Sequence, residues 1–411
     1  MLLDGLLNKK PEEVFIYLER RVNGDFSSDV SEIYKPSHKN ESFNLPVISL
    51  KKEEAQYFET KPDENLKKRI LRKNSIKFFI HPEMLKEHTN NGMLGLTKSE
   101  GYVRVSATSS TRTVFTRGLN HNFMIKTDLE RKLGDGVRKL KKEHIEHVKK
   151  IADEFETVSL PEYFAYLPES IGVVYSFNGK ETGMLIREFN ARPLIEGRKF
   201  LIPFFSLFYR DKFNENDPYL LCQVIDRICK KKGDELCVFY EKILFPYIDV
   251  WSNLILQRGM QSEMHAQNTL LEINEEGTPL RVVYRDLQDI FIDSEIRSSK
   301  NLGMSFNRNI LGRCERIYRV GNKEITDPKM CKMISYSLCY DYRLGRALDY
   351  FSLALREYPS YSEKGFVAMV KSLWKDYFKG TSIFPEKAYH LKPNEAVENQ
   401  LVFLEVKPKY R

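Results

Sequence analysis

Apolar residues follow two different spacings along the chain, and each spacing predicts its own kind of element. Short runs rich in β-branched and aromatic residues predict strands. These runs lie at 76–80, 102–105, 113–116, 123–126, 172–177, 183–189, 269–273, 280–284 and 400–406. Longer stretches with apolar residues three or four positions apart predict helices. These stretches lie at 1–22, 63–73, 137–156, 218–258, 329–358 and 362–378.

The order of these elements predicts an α+β fold, with a central antiparallel sheet and helices concentrated in the C-terminal half. Few periodic apolar positions occur in 23–62, 193–203 and 293–330, which we predict to be irregular. The 411 residues are enough for a substantial core and for two or three domains.

The composition is that of a globular protein, with 42% hydrophobic and 30% charged residues. The net charge of +8 suits an anionic small-molecule ligand, but the charges are spread too evenly to indicate nucleic-acid binding. No apolar run approaches the roughly 18 residues of a membrane span, and the N-terminus lacks the apolar core of a signal peptide. The six cysteines show no C-x-x-C spacing, so we expect buried, reduced thiols in a cytoplasmic protein.

Polar side chains suited to catalysis surround the last predicted hairpin. Before it, Glu263, His265 and Gln267 alternate, and on a strand they would point to one face. After it, the returning strand would bring Asp286 toward His265. An imidazole, the amides of Gln267 and Asn268, and a carboxylate could bind a nucleotide phosphate and a divalent cation. The alternative is a satisfied polar cluster at a sheet edge.

Two further sets of residues suit an anion. Ser110, Arg112 and Thr113 offer two hydroxyls and a guanidinium at the spacing of a phosphate or carboxylate cradle. Lys126 and Arg138 place a strand lysine and a helix-start arginine where both could meet one anion. Taken alone, the first set is equally an exposed strand start, and the second is an ordinary pair of basic residues.

Together the three sets resemble the NRPS-independent siderophore (NIS) synthetases of the aerobactin-synthetase type. The shared order is Ser-x-Arg-Thr from Ser110, Lys-x11-Arg from Lys126, Glu-x-His-x-Gln-Asn-x-Leu from Glu263, and Arg-Asp from Arg285. The combination in this order is far more specific than any of its parts. Looser similarities are the pair His81-Pro82 before the first set and the segment Pro385-x-Lys387-Ala388 near the C-terminus.

The resemblance implies a palm, fingers and thumb fold and ATP-dependent adenylation of a carboxylate, usually on citrate or a citrate derivative. An amine or hydroxyl nucleophile then displaces AMP, which gives an amide or ester in siderophore biosynthesis for iron acquisition. By match, the ATP phosphates and the substrate carboxylate would be held by Ser110, Arg112, Thr113, Lys126 and Arg138. The remaining roles by match are His265 and Gln267 at the reacting centre, Asn268 and Asp286 on Mg²⁺ and nucleotide, and Lys387 on the substrate.

The same resemblance divides the chain into three regions. These are a shortened N-terminal region, 1–74, a phosphate-binding, fingers-like region, 75–215, and a palm-like catalytic region, 216–411. The expected partners are a small-molecule carboxylate and an amine or alcohol, without nucleic acid or membrane, and a homodimer is an assembly that the resemblance allows.

The chain departs from the family in two places. A segment rich in His-Pro, with a lysine, precedes the first strand in family members and has no match here. Family members also carry threonine and a small polar residue shortly before the arginine matched by Arg138, where they help to hold citrate. Gly134 and Asp135 stand there instead. Because an aspartate repels a tricarboxylate, we expect a substrate with fewer carboxylates or with an amine. The alternative role for Asp135 is a helix cap.

Two other functions compete with a synthetase. A small-molecule phosphotransferase of kinase-like fold would also need a phosphate-binding lysine and a metal-binding aspartate, but its catalytic loop needs an aspartate two residues after the histidine, where Gln267 stands. A homologue that binds a metabolite or a partner enzyme without turnover is the third possibility.

Overall fold

Two sheets, one of eight strands and one of four, form the framework of the protein in the computed structural model. The structure describes residues 1–20, 29–90, 92, 98–133, 136–210, 217–311, 319–320, 323–324, 327–337, 339, 344–381 and 383. The strands are β1 (Phe43–Lys51), β2 (Ala55–Glu59), β3 (Ser75–Phe79), β4 (Lys98–Ala107), β5 (Thr113–Thr116), β6 (Phe123–Thr127), β7 (Leu129–Leu133), β8 (Gly136–Arg138), β9 (Phe164–Tyr166), β10 (Glu169–Phe177), β11 (Lys180–Glu188), β12 (Lys199–Pro203), β13 (Met260–Ser262), β14 (Thr269–Asn274), β15 (Pro279–Tyr284), β16 (Ile290–Ile292), β17 (Arg319–Val320) and β18 (Lys323–Glu324).

The helices surround these sheets. They are α1 (Leu2–Leu7), α2 (Pro11–Glu19), α3 (Glu64–Ile70), α4 (Pro82–Asn90), α5 (Lys142–Phe155), α6 (Leu220–Ile228), α7 (Glu235–Phe239), α8 (Phe245–Arg258), α9 (Ser294–Ser299), α10 (Pro328–Ser337), α11 (Gly345–Leu355) and α12 (Glu363–Phe378). None of the helices in the described ranges is long and apolar enough to cross a membrane.

The larger sheet has the order β2-β10-β11-β6-β5-β4-β1-β3, and every neighbouring pair is antiparallel. Its register places Thr113 opposite Lys126 and Met124 opposite Arg187. Opposed residues share a face, and so do residues two apart on one strand. Thr113, Lys126 and Arg187 therefore project from the same face of this sheet.

The smaller sheet has the order β12-β14-β15-β9, in which only the pair β15–β9 is parallel. Helix α2 lies between the two sheets, and its Phe15 packs against Phe115 and Phe189 with ring centroids 5.6 and 5.2 Å apart. The same apolar cluster includes Leu270 and Val283 from the smaller sheet. The end of α2 is thereby held where the two sheets meet.

Helix α5 packs unusually close to the larger sheet. Its apolar stripe includes Ile145, Val148 and Ile151, which are buried as the helical spacing predicts. Two strand glycines leave room for it. A Cβ on Gly183 would lie 2.4 Å from the Leu140 carbonyl oxygen, and a Cβ on Gly172 would lie 2.3 Å from a methyl carbon of Ile145. Glycine at these positions brings the start of α5 toward Lys126.

The predicted α+β order with a large antiparallel sheet is confirmed, but several local predictions are wrong. The region 23–62, predicted to be irregular, contains β1 and β2, and 193–203 contains β12. Strand β1 has a weak pattern because Asn44, Pro46 and Ser49 interrupt its apolar residues, but it is hydrogen-bonded to β4 on one side and β3 on the other.

Two further corrections concern single residues. Arg138 does not begin a helix, because it ends β8, where it pairs with Leu129 across a hairpin, and α5 begins only at Lys142. The cysteines are not uniformly buried, since Cys222 and Cys339 are buried but Cys237 is exposed. The strand predicted at 400–406 lies outside the described residues.

Candidate active site

The connection between β4 and β5 holds the first predicted anion-binding set in a fixed turn. The Thr108 hydroxyl donates to the Thr113 carbonyl at 2.7 Å, and the Thr113 N–H donates to the Ser110 hydroxyl at 3.1 Å. Between them Thr111 has a φ of 63°, a left-handed conformation that a β-branched residue rarely adopts. Backbone strain of this kind is typical of functional sites.

Arg112 connects this turn to the hairpin of Arg138. Its side chain is buried, and its Nη1 donates to the Arg138 carbonyl oxygen at 3.1 Å. The Arg112 carbonyl accepts hydrogen bonds from the N–H and the hydroxyl of Thr127, at 3.1 and 3.0 Å. The two anion-binding sets predicted from the sequence therefore lie side by side.

Lys126 belongs to a buried network of two cations and two carboxylates. Its side chain is 1% exposed, and its Nζ lies 2.5 Å from Asp286 Oδ1 and 4.0 Å from Glu169 Oε1. Arg187 Nη2 lies 2.7 Å from Glu169 Oε1 and 4.0 Å from Asp286 Oδ1. Burial lowers the pKa of Lys126, although the charges of Asp286 and Glu169 act in the opposite direction.

His265 and Gln267 lie on a turn between β13 and β14, so the strand alternation predicted for Glu263, His265 and Gln267 is wrong. The reason is local, because the N–H groups of Asn268 and Thr269 both donate to the His265 carbonyl, at 3.0 and 3.1 Å, and close the turn. The Gln267 N–H donates to His265 Nδ1 at 3.1 Å. In the neutral imidazole this hydrogen bond places the ring proton on Nε2.

The predicted hairpin returns Asp286 to this turn. Thr269 pairs with Tyr284 at the end of the β14–β15 ladder, and the Arg285 N–H donates to the Asn268 carbonyl at 2.9 Å. Asp286 follows with a φ of 77°, a left-handed conformation that turns the chain away from the sheet. The candidates Asn268 and Asp286 thus lie at one end of one hairpin, as the sequence predicts.

A second carboxylate, which the sequence analysis missed, lies beside Asp286. Residues 287–289 form a 3-10 turn in which the Asp289 N–H donates to the Asp286 carbonyl at 3.0 Å. Side chains three residues apart on such a turn lie on the same side. Asp289 Oδ1 lies 2.9 Å from Arg308 Nη1. The spacing Asp-x-x-Asp after a strand was the signal that could have identified this carboxylate.

Both carboxylates are ionised at neutral pH. Burial alone would raise the pKa of Asp286, but the charges of Lys126, Arg187 and Arg112 outweigh it and lower that pKa. Burial would likewise raise the pKa of Asp289, and the charges of Arg308 and Lys126 lower it well below its usual range. Two neighbouring carboxylates therefore coexist as anions because cations surround them.

His144, in the first turn of α5, is a neutral imidazole at the edge of the cluster. Burial, with smaller contributions from the charges of Arg308, Lys126 and Arg112, lowers its pKa to about 4, while Glu143 acts in the opposite direction. Its Nδ1 accepts the Lys141 N–H at 3.1 Å. A single histidine in a basic helix start carries no sequence signal for this position.

The cationic side chains around the candidate site fall into two groups, those with a carboxylate within ion-pair distance and those without one. Each of four has a carboxylate within ion-pair distance, and the pairs are Lys126–Asp286, Arg187–Glu169, Arg285–Glu19 and Arg308–Asp289. Over the residues that the structure describes, neither Arg112 nor Arg138 has such a partner. Arg112 is 8% exposed, and its hydrogen bond goes to the neutral Arg138 carbonyl, while Asp286, Asp289 and Asp128 act on its charge from beyond ion-pair distance. Two guanidinium groups therefore remain for an anionic ligand.

The oxygen donors at the hairpin end suit Mg²⁺ in type. Asp286, Asp289 and Asn268 offer carboxylate and amide oxygens, which hard cations prefer. In the described part of the chain, no three His, Cys, Asp or Glu residues are grouped so that they could hold a metal ion. A Mg²⁺ ion here would therefore take most of its ligands from water and from a bound phosphate, as is usual for this ion.

Solved structures with a similar architecture include a petrobactin biosynthesis protein and two aerobactin synthetases. The petrobactin biosynthesis protein AsbB from Bacillus anthracis superposes over 90% of this chain and 67% of its own, with a TM-score of 0.59 and 16% identity. The ATP-bound aerobactin synthetase IucA from a hypervirulent pathotype of Klebsiella pneumoniae superposes over 92% of this chain and 71% of its own, with a TM-score of 0.62 and 16% identity. The chain has the fold of these synthetases.

The aerobactin synthetase IucC from the same Klebsiella pathotype superposes equally well, with a TM-score of 0.62 and 16% identity over 91% of this chain and 70% of its own. No family model matches the sequence, and no curated protein does either. The predicted fold of palm, fingers and thumb type is therefore confirmed by structure, where sequence comparison finds nothing.

The synthetase fold brings together most of the predicted site residues, while three positions lie outside the described residues. These positions are Gly134, Asp135 and Lys387. Their predicted roles toward the substrate stay predictions.

Proposed function

We propose that this protein is an ATP-dependent ligase that adenylates a carboxylate and condenses it with an amine or a hydroxyl, in the biosynthesis of a siderophore-like metabolite. The observation that carries the proposal is the pair Arg112 and Arg138. Both are cationic, and neither has a carboxylate within ion-pair distance among the described residues. The charge of Arg112 acts on Asp286, and the charge of Arg138 acts on Asp289. Two guanidinium groups without an ion-pair partner suit a ligand with phosphate and carboxylate groups.

The proposed reaction has two steps. A carboxylate oxygen of the substrate attacks the α-phosphorus of ATP, the bond from this phosphorus to the bridging oxygen breaks, and pyrophosphate leaves. The amine nitrogen or hydroxyl oxygen of the second substrate then attacks the acyl carbon, the bond to AMP breaks, and the nucleophile's proton passes to solvent. Negative charge increases around the α-phosphorus in the first step, and fixed cations stabilise it.

We assign each group of residues a role in this reaction according to its position in the site. Ser110, Arg112 and Thr113, in the turn before β5, would hold the phosphates together with Lys126. Arg138 would bind the substrate carboxylate. These roles follow from the two unpaired guanidinium groups and from Lys126, whose ammonium is held on the same sheet face as Thr113.

The turn residues complete the proposed site. The Nε2–H of His265 would donate to an oxygen of the reacting centre, and Gln267 would contact the substrate beside it. Asn268, Asp286 and Asp289 would hold Mg²⁺, which supplies positive charge to the phosphates.

The nucleotide products test the proposal against its alternatives. The wild-type protein, with ATP and Mg²⁺, is screened over di- and tricarboxylic acids and amino acids together with diamines and hydroxamates. We expect carboxylate-dependent release of AMP and pyrophosphate, and transfer of one ¹⁸O atom from ¹⁸O-labelled carboxylate to AMP. Formation of ADP and a phosphorylated substrate would instead establish the phosphotransferase. ATP binding without turnover over the whole screen would favour a homologue that only binds a metabolite.

A further inference from the structure

A carboxylate from the N-terminal helix lies buried behind the candidate site. Glu19 is the last residue of α2, and it is 0% exposed. Its Oε2 accepts the Ser109 N–H at 2.9 Å, and its Oε1 lies 2.7 Å from Arg285 Nη1. Because an ionised carboxylate is costly to remove from water, its presence here depends on these two partners.

Arg285 connects Glu19 to the His265–Asn268 turn. Its Nε donates to the Gln267 carbonyl at 2.8 Å, and its Nη2 donates to the Ser109 hydroxyl at 3.3 Å. The Gln267 side chain also donates to the Ser109 hydroxyl at 3.3 Å. Through Glu19 and Arg285, helix α2 is therefore connected to both Ser109 and Gln267.

We propose that Glu19 is a positioning residue, which sets the Ser110–Thr113 turn in register with the His265–Asn268 turn. The proposal rests on the proposed function, since that function places the ATP phosphates against the first turn and the reacting centre against the second. Glu19 itself touches neither substrate. It fixes the Ser109 N–H, and it holds the Arg285 guanidinium away from the adjacent Asp286, which then remains paired with Lys126.

Loss of the Glu19 charge should disturb both turns. In Glu19→Gln the amide oxygen can still accept from Ser109, but Arg285 loses its buried counter-ion. The nearest carboxylate on its own strand end is Asp286, and a shift of Arg285 toward it would compete with Lys126. The Gln267 carbonyl and the Ser109 hydroxyl would then lose a donor that fixes them.

A second buried ion pair provides a matched control. Glu272 on β14 and Arg281 on β15 face each other, with Nε 2.5 Å from Oε2, and both are nearly fully buried. Arg281 also donates to the Pro193 carbonyl at 2.6 Å, and among the described residues the pair has no hydrogen bond or ion pair to the candidate site. Glu272→Gln therefore removes the same kind of charge from the same fold and reports the effect of instability alone.

The experiment compares the full-length wild type with Glu19→Gln, Glu19→Asp and Glu272→Gln, well below each melting temperature. Amide hydrogen exchange is measured in the nucleotide-free proteins over a peptide that contains Ser109. The KM for ATP is measured with a carboxylate that the wild type turns over. In Glu19→Gln we expect exchange to be about tenfold faster and the KM to rise about tenfold, with partial recovery in Glu19→Asp, which keeps the charge. Glu272→Gln should change neither quantity.

Three results would overturn the positioning role. They are wild-type exchange in Glu19→Gln, faster exchange with an unchanged KM, and the same changes in Glu272→Gln. Failure of the proposed function is separate, because it appears as a wild type without carboxylate-dependent turnover. The exchange comparison needs no nucleotide, and in that event it decides by itself whether Glu19 holds the Ser109 turn.

Discussion

Lys126 Nζ and Asp286 Oδ1 lie 2.5 Å apart, although 160 residues separate them in the chain. The contact joins the middle of the larger sheet to the end of the β14–β15 hairpin. Lys126 is 1% exposed and Asp286 is surrounded by Arg187 and Arg112, so each charge depends on the other for compensation. The candidate site is therefore assembled by an ion pair across the two sheets.

Removal of this lysine should abolish most of the activity. Lys126→Met keeps the length of the apolar stem but removes the cation that faces Asp286 and a bound phosphate. We expect ATP-dependent turnover to fall by about 100-fold or more, which is the effect of losing one preorganised charge in an active site. The control is Lys51→Met, since the Lys51 side chain is 65% exposed and its ion pair is on the surface. Turnover within threefold or so of wild type would contradict the role of Lys126.

The second carboxylate should determine the magnesium requirement. In Asp289→Asn the amide removes one anion from the end of the hairpin, so the Mg²⁺ concentration for half-maximal turnover should rise by about tenfold. A Mg²⁺ titration at saturating ATP measures it. Asp153→Asn on α5 is the control, because it removes a half-exposed charge paired with Lys149. An unchanged Mg²⁺ titration would show that Asp289 only pairs with Arg308 and does not help to bind Mg²⁺.

Arg138 should not tolerate lysine. A guanidinium binds a carboxylate or phosphate through two parallel hydrogen bonds, which an ammonium cannot reproduce. The loss should be about 1.5–3 kcal/mol, or about 10- to 100-fold in kcat/KM. Steady-state kinetics of Arg138→Lys measure this, with Arg131→Lys on the same hairpin as the control, since Arg131 pairs with Glu83 and Glu87. Wild-type kinetics would show that Arg138 serves only as a surface residue.

The substrate preference should depend on Asp135. A carboxylate within about 4 Å of a citrate carboxylate is repelled by about 4 kcal/mol at an effective dielectric near 20. Citrate should therefore be a poor acyl donor for the wild type, and Asp135→Asn should improve its KM. Citrate-dependent pyrophosphate release is measured for both proteins, and Glu130→Gln, which removes a charge from β7, is the control. Robust citrate turnover that is unchanged in Asp135→Asn would show that Asp135 does not select the substrate.

Acid should destabilise the protein through its buried histidines. Burial lowers the pKa of His147 to about 4, and its Nε2 donates to the Ile290 carbonyl at 2.8 Å. Arg308 and Lys150 contribute to this lowering, while the Ile290 carbonyl and Asp289 act in the opposite direction. Because the unfolded chain binds a proton near pH 6.5 and the folded chain does not, stability is full above pH 6.5 and falls as the pH approaches 4.

The His147 contribution to this loss should be about 3 kcal/mol, at about 1.4 kcal/mol for each pKa unit. His147→Gln keeps a donor for Ile290 and removes the titration, so its unfolding free energy should fall less steeply between pH 6.5 and 4. Denaturant unfolding at several pH values measures the slope. The exposed His121 provides the control as His121→Gln, which should leave the slope unchanged. An identical slope in His147→Gln and wild type would show that this histidine is not the sensor.

The sequence by itself determined the parts of the site that depend on neighbouring segments. Strands β5 and β6 are separated by a short connection, and consecutive strands usually pair. The strands predicted at 113–116 and 123–126 are such neighbours, and in the structure they pair with Thr113 opposite Lys126. The turn before Pro279 likewise implied that Asp286 returns to Asn268. In both cases the partners are close in the sequence, so local strand and turn signals carry the information.

Only the tertiary structure decided which charges are buried and how they pair. Glu19 accepts a hydrogen bond from the Ser109 N–H, 90 residues later in the chain, and Glu169 accepts one from the Leu287 N–H, 118 residues later. No local sequence pattern relates residues that are so far apart in the chain. The local sequence pattern around a single charged residue in an apolar run is the same whether its side chain faces water or a buried counter-ion. Strand β1 was missed for the same reason, because its stability comes from two neighbouring strands and not from its own pattern. Pairing over long separations depends on the free energy of the assembled core, which local spacing does not contain.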